Sequence, residues 1–352
     1  MRRRLLVAPV VVAIAAVAVA VVSTRGPDGP AEARDAAARF LDRYVEHDGR
    51  VVRHDQGGDT VSEGQAYAML IAAGTGDERR FDRVWEWTRK RLRRSDGLLA
   101  WRWADGRVAG QQPAADADLD AARALLVAAR RFDRADLRRD GLALGRAIAA
   151  HEVLPRGDGP VLVAGPWARG PRMINPSYLS PRAFSELDRA GRSPVWGQLE
   201  RSSLRLLGGL TRRSPHLAPD WARLQGGGAA PSGPPGEPGE PVHGFDAVRV
   251  PLRLAESCDR GARRLAARAW PALRGDRVAA VRGLDGSPRA DHEHPASLAG
   301  AAAAARAAGD DEASAELLDR AAELDRERPS YYGAALTALA RVSLDTDGLG
   351  SC

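Results

Sequence analysis

Apolar residues, Ala foremost, recur at spacings of three and four from residue 31 almost to the end of the chain. That period gives a helix one buried stripe and no alternating sheet face. Read with capping residues, it predicts helices near 31–46, 62–74, 79–93, 116–131, 135–151, 180–190, 195–209, 245–257, 260–273, 295–307, 310–324 and 329–342. Strand signals are nearly absent, and 159–164 is the best candidate. No fixed-period repeat of 20–50 residues is found. About twelve helices in 352 residues fit six hairpins closed into a ring, an all-α (α/α)6 barrel. Residues 226–241, rich in Gly and Pro, read as a flexible surface loop inserted in one domain over 31–345, because the same helical pattern resumes after them.

The first residues read differently. Arg2, Arg3 and Arg4 precede an uncharged apolar run over 5–22, the pattern of a signal peptide or signal anchor over 1–24, followed by a linker over 25–30. Ala18-Val19-Ala20 offers a cleavage site, and Pro9 weakens a continuous spanning helix. Either outcome leaves the rest outside the cytoplasm, free or anchored through 5–22. The formal charge is +6, and half of it lies in Arg2–Arg4, too little remaining for a nucleic-acid groove. The pI reflects Arg in place of Lys, since Lys90 is the only lysine. Two cysteines exclude a disulfide scaffold, and Cys352, the last residue, is expected to be a poor partner for Cys258.

The unusual residues fall at the starts of alternate helices. Ser62-Glu63-Gly64-Gln65 opens the second and Asp116-Ala117-Asp118 the fourth. Asn175-Pro176-Ser177-Tyr178 precedes the sixth, Phe245-Asp246-Ala247 opens the eighth, and Ser330-Tyr331-Tyr332 opens the twelfth. In a hairpin ring, alternate helices run parallel as the inner wall. Their N-termini meet at one end, so acids and aromatics distant in sequence would line one cleft.

Each element of this set also has a plainer reading. Thr60-x-x-Glu63 and Ser62-x-x-Gln65 are both capping boxes. Acids in a first turn suit the helix dipole, which covers Asp116 and Asp118. Asp116, Asp118 and Asp120 do not continue as a calcium loop, because Ala121 and Val127 stand where Gly and Glu are needed. Asp246 could cap its helix and pair with Arg249, and Pro251 would kink that helix. Trp101 and Trp103, in Leu-x-x-Trp-x-Trp, suit either a sugar platform or the core.

His292-Glu293-His294 lacks metal-ligand spacing. Serine-nucleophile, dinucleotide and phosphate-loop signatures are missing, so no metal or cofactor is expected. Several carboxylates with aromatics in an exported chain suit glycosidic bond cleavage.

Ser62-Glu63-Gly64-Gln65-Ala66-Tyr67-Ala68-Met69 resembles the S-E-G-x-x-Y-G-M segment of glycoside hydrolase family 8. Ala114-Ala115-Asp116-Ala117-Asp118 through Phe132 is similar to that family's A-[ST]-D-[AG]-D signature. Asn175-Pro176-Ser177-Tyr178, Pro219-Asp220-Trp221, Asp246-Ala247-Val248-Arg249-Val250 and Ser330-Tyr331-Tyr332 match further segments in order, from about residue 31 to 342. The resemblance implies an (α/α)6 barrel and an inverting endo-β-1,4-glucanase, a monomer acting on a β-glucan. It implies Glu63 as general acid, Asp246 as general base, and Asp116 as the carboxylate that holds the sugar. Tyr178 would position water, Arg249 would orient Asp246, and Trp101 would stack a sugar, with Tyr67 and Tyr332 also facing substrate. Another β-1,4 polymer, or glycan binding without catalysis, are the competing readings. Ala115, Ala121, Ala68 and Phe245 depart from the family pattern, and none of these removes a charged group.

Overall fold

The computed structural model describes residues 29–237 and 239–352. The expected leader over 1–24 lies outside the described residues. Twelve α-helices run through the described residues. They are α1 (Gly29–Tyr44), α2 (Ser62–Thr75), α3 (Glu78–Arg91), α4 (Ala115–Arg131), α5 (Ala135–His151), α6 (Pro181–Gly191), α7 (Pro194–Leu210), α8 (Arg249–Ala255), α9 (Arg260–Leu273), α10 (Pro295–Ala308), α11 (Asp311–Glu327) and α12 (Tyr331–Leu344). The first helix starts inside the stretch read as linker. No helix among the described residues is long and apolar enough to cross a membrane.

The even-numbered helices pack on one another in sequence order, and α12 closes on α2, so they form a complete inner ring. Each odd-numbered helix lies outside it, α3 against α2, α5 against α4 and so on to α1 against α12. Composition explains this split. The inner helix α10 reads Pro-Ala-Ser-Leu-Ala-Gly-Ala-Ala-Ala-Ala-Ala, buried at every position from Pro295 to Ala305. A helix buried all round has neighbours on every side, and Ala lets those neighbours come close. At Gly300 an added Cβ would lie 2.3 Å from the Val248 carbonyl oxygen, so only glycine admits the chain entering α8. The outer helix α3 buries Phe81, Val84, Trp85, Trp87 and Thr88 on one face and is charged on the other.

Ten short strands also form among the described residues, and the sequence pattern announces only the one within 159–164. A three-stranded antiparallel sheet joins β1 (Thr60–Val61), β2 (Arg102–Ala104) and β3 (Arg107–Gly110). β4 (Val153–Leu154) pairs with β5 (Val161–Leu162), inside the predicted 159–164. β6 (Met173–Ile174), β7 (Trp221–Gln225) and β8 (Gly228–Ser232) form a third sheet, and β9 (Val242–His243) pairs with β10 (Arg282–Gly283). These strands lie in the connections that lead into the inner helices. The 226–241 segment is therefore not wholly a loop. Gly226-Gly227 turns a hairpin in which Trp221 faces Ser232, as paired glycines between extended residues can do.

Two other expectations are corrected. The eighth helix starts at Arg249, not 245, so Pro251 sits in its first turn, where no intrahelical donor is needed and no kink follows. Cys258 and Cys352 are joined as a disulfide with their Cα atoms 5.2 Å apart. The chain after α12 crosses the far end of the barrel beneath α2, with Gly348 packed on the Gly74 carbonyl. Arg182 donates to the carbonyls of Leu349 and Ser351, which brings the last residue to Cys258.

Candidate active site

Glu63 is the second residue of α2, Asp116 the second of α4 and Arg249 the first of α8. Tyr331 and Tyr332 open α12. The expected gathering of inner-helix N-termini holds, and its centre is a cation. Nη1 of Arg249 donates to Glu63 Oε2 at 2.9 Å, to Asp116 Oδ2 at 3.0 Å and to the Tyr67 hydroxyl at 2.8 Å. Nη2 donates to Asp246 Oδ1 at 2.5 Å. The guanidinium also stands 5.5 Å from the centre of the Tyr178 ring. One buried charge thus gathers three carboxyls that are up to 186 residues away in sequence.

The capping readings do not survive. α2 has no side-chain cap. Thr60 Oγ1 donates to the Val51 carbonyl, and Gln65 is spent on the Val51 N–H and on Thr88 Oγ1. Glu63 keeps about a quarter of its side chain open (26%), Asp246 slightly more (29%), and Asp116 is closed off (2%). Burial raises the Glu63 pKa to about 7, against the pull of Arg249 and with added repulsion from Asp116 and Asp246. Burial also raises Asp116 and Asp246, again opposed by Arg249. Three desolvated carboxyls share one cation, and Glu63, one of the open pair, is left holding a proton near neutral pH.

Asp246 precedes α8, in a turn held from two sides. Asp220 Oδ1 accepts the N–H groups of Gly244 at 2.8 Å and Ala247 at 2.7 Å. The Tyr332 hydroxyl donates to the Phe245 carbonyl at 2.6 Å. The Asn175 side-chain amide lies against Asp246 and partly offsets its rise. Asn175 itself is fixed by accepting from the Ser177 N–H and hydroxyl through its oxygen. Nothing in the sequence singles out Asp220 as the brace of this turn, although it lies in a matched segment.

Trp101 lies beside the acid, its carbonyl accepting the Ser62 N–H at 2.9 Å. The residue is 39% exposed, and its ring lies over Gly110, where an added Cβ would strike it. Trp103 is packed edge-on against Trp87 instead. Tyr178 is half-buried and meets Trp221 edge-on. Tyr332 is half-buried at the rim with Phe245 and His294. Tyr67 differs from the expectation for it: it is fully buried and bears on the site only through Arg249. Asp120 and Asp118 diverge from Asp116. Asp120 is paired with Arg253, one turn below Arg249, and Asp118 points into the protein, accepting the Leu99 N–H.

In the His292-Glu293-His294 run, Glu293 pairs with Arg320 and His294 caps α10. Among the described residues no group of three or more His, Cys, Asp or Glu is placed to hold a metal ion.

The arrangement offers an open carboxyl that holds a proton near neutral pH, a second open carboxyl fixed on the same cation, and an exposed indole. The sequence profile described as "Glycosyl hydrolases family 8" matches residues 10–344. A probable endoglucanase from Novacetimonas hansenii is 33% identical over 237 residues, 62% of this chain and 67% of that protein. An endoglucanase from Cellulomonas uda is 28% identical over 230 residues, 63% of each. The chain spans 67% of the length of the first of these relatives, 63% of the second and 42% of another, an endoglucanase 2 from Ruminiclostridium josui. The solved structure of an endo-β-1,4-glucanase from Acetobacter xylinum superimposes with a TM-score of 0.76 at 29% identity, over 90% of this chain and 98% of that one.

Proposed function

This chain belongs to glycosyl hydrolase family 8, and on that premise we propose that it is an endo-β-1,4-glucanase acting on a cellulose-like β-glucan with inversion of configuration. Glu63 is the general acid. It arrives at the glycosidic oxygen protonated and leaves ionised, and Arg249 then steadies the new carboxylate. Asp246 is the general base for water on the opposite face of the sugar, held in place through Arg249 and the Asp220 brace. Asp116 receives the sugar at the cleavage point, Tyr178 positions the water, and Trp101 and Tyr332 meet sugars farther along the cleft. Tyr67 acts behind Arg249.

The observation that carries this reading is the meeting of Glu63, Asp116 and Asp246 on one guanidinium at the open end of the ring. A spacing set by an intervening cation suits the wider carboxyl gap of inverting enzymes. The arginines and apolar run at the N-terminus support export, as a free or anchored protein outside the cytoplasm, with one catalytic domain over 31–345 working as a monomer.

The test is release of reducing ends by purified protein from carboxymethylcellulose, mixed-linkage glucan, xylan and chitosan. The reading expects carboxymethylcellulose to be cut internally, with a rapid fall in viscosity. Preference for xylan or chitosan would overturn the substrate. No release from any polymer would leave a glycan-binding protein.

A further inference from the structure

Behind Asp116 lies a second carboxyl pair that the proposed chemistry does not use. Asp118, on the next turn-face of α4, and Glu152, the C-cap of α5, are both fully buried. They lie within hydrogen-bonding reach of each other. Asp118 Oδ1 accepts the Leu99 N–H at 2.8 Å. Its Oδ2, and both carboxyl oxygens of Glu152, are buried and receive no hydrogen bond from any protein donor.

Three facts argue against two charges here. Glu152 closes a seventeen-residue helix at its C-terminal end, where the dipole repels an anion. The charged groups nearest the pair are Asp116 on the same helix, Asp96 and Arg94 from the α3–β2 connection, and Arg169, whose Nη1 is spent on the carbonyls of His151 and Val153 on either side of Glu152. Arg94 is spent on Asp96, its Nη2 2.7 Å from Asp96 Oδ2. Two buried carboxylates side by side, with no cation bonded to either, would cost far more than protonating one.

We propose that Glu152 carries a proton and donates it to Asp118 Oδ2, and that this hydrogen-bonded pair is a positioning element for the cleft. Its reach follows the backbone. Asp118 fixes Leu99, two residues before Trp101, whose carbonyl takes the N–H of Ser62, next to Glu63. Glu152 leads into β4, and the partner strand β5 runs on to Ala164, whose carbonyl takes the N–H of Ala115, next to Asp116. The pair therefore locks the start of α4 against the segment that enters α2. Burial raises both groups well above the usual carboxylate range, in agreement.

The positioning role rests on the reading of Glu63 and Asp116 given above; the protonation does not. The experiment compares the full chain with Glu152→Gln and Glu152→Ala. A Gln amide donates to Asp118 without needing a proton. The unfolded chain releases its carboxyl protons near pH 4, whereas the folded pair keeps one, so folded stability falls as pH rises above that point. The Tm of Glu152→Gln relative to wild type therefore climbs steadily between about pH 5 and 8. Parallel curves would overturn the shared proton, whether or not the protein cuts glucan. Glu152→Ala strips Asp118 of its donor and lowers kcat by about 10- to 100-fold with KM little changed, while Glu152→Gln restores kcat. A Gln variant as slow as the Ala variant, or an Ala variant with full kcat, would overturn the positioning role. Should the Ala variant fail to fold, the wild-type and Gln curves still decide the shared proton, and a folded Gln variant with kcat well below wild type would overturn the positioning role.

Discussion

Nη1 of Arg249 lies 2.9 Å from Oε2 of Glu63, yet Glu63 holds its proton up to about pH 7. A cation at that distance should favour the ionised carboxylate. Burial wins because Arg249 is shared with Asp116 and Asp246 and cannot neutralise all three. The result is an acid poised near neutrality with the group that stabilises its conjugate base already in contact.

Glu63→Gln is expected to fold normally and to lose about 10²–10⁴ of the activity, the usual worth of general acid catalysis. The amide still accepts the Arg249 hydrogen bond but has no proton to deliver. Reducing-end release and a thermal melt check it. Retained activity with a lowered Tm would return Glu63 to a structural role.

The same group sets the pH behaviour. The rate constant kcat/KM should fall as pH rises through about 7, where Glu63 ionises. Stability should follow the same sign. The folded value lies above the unfolded one, so the contribution of Glu63 is full below about pH 4.3 and is lost as pH rises through about 7. A pH–rate profile and melts of wild type against Glu63→Gln measure both.

Arg249→Lys should lose activity at least as severely as it loses stability. An ammonium is a point charge and cannot hold Glu63 and Asp116 on one nitrogen and Asp246 on another. Arg249→Ala should cost about 3–5 kcal/mol, because buried carboxyls lose their partner. Denaturant unfolding reads that loss directly.

Trp101→Ala should raise KM for long glucans and leave Tm nearly unchanged, since the residue is 39% exposed. Steady-state kinetics on oligosaccharides of increasing length separate this from a core role, which would show as a large fall in Tm.

How much of this was legible in the sequence follows from what is local. The twelve helices were readable because their period is written into each segment, and alternate helices could be recognised as inner from the residues at their starts. Apart from 159–164, which holds β5, the strands were not, since two to five residues pair only through partners such as Thr60 with Trp103. Asp246 and Arg249, three residues apart, could be paired on paper. The contacts of Arg249 to Tyr67, Glu63 and Asp116 could not, because they cross 133 to 186 residues and exist only once the ring closes. Asp116, Asp118 and Asp120 look alike in sequence, and only the helix's orientation sends one to the cleft, one to Leu99 and one to Arg253. The Cys258–Cys352 bond runs against what the sequence suggests for a cysteine at the last residue, because it depends on where the tail returns.

In the proposed mechanism Glu63 and Asp246 act from opposite faces of the sugar, with water attacking directly and no covalent intermediate. Proton NMR of the first product, recorded on a β-glucan oligosaccharide before mutarotation, separates this from a double displacement. The α-anomer is expected at the new reducing end. A β-anomer would overturn the Glu63 and Asp246 roles and would make Asp116 a nucleophile.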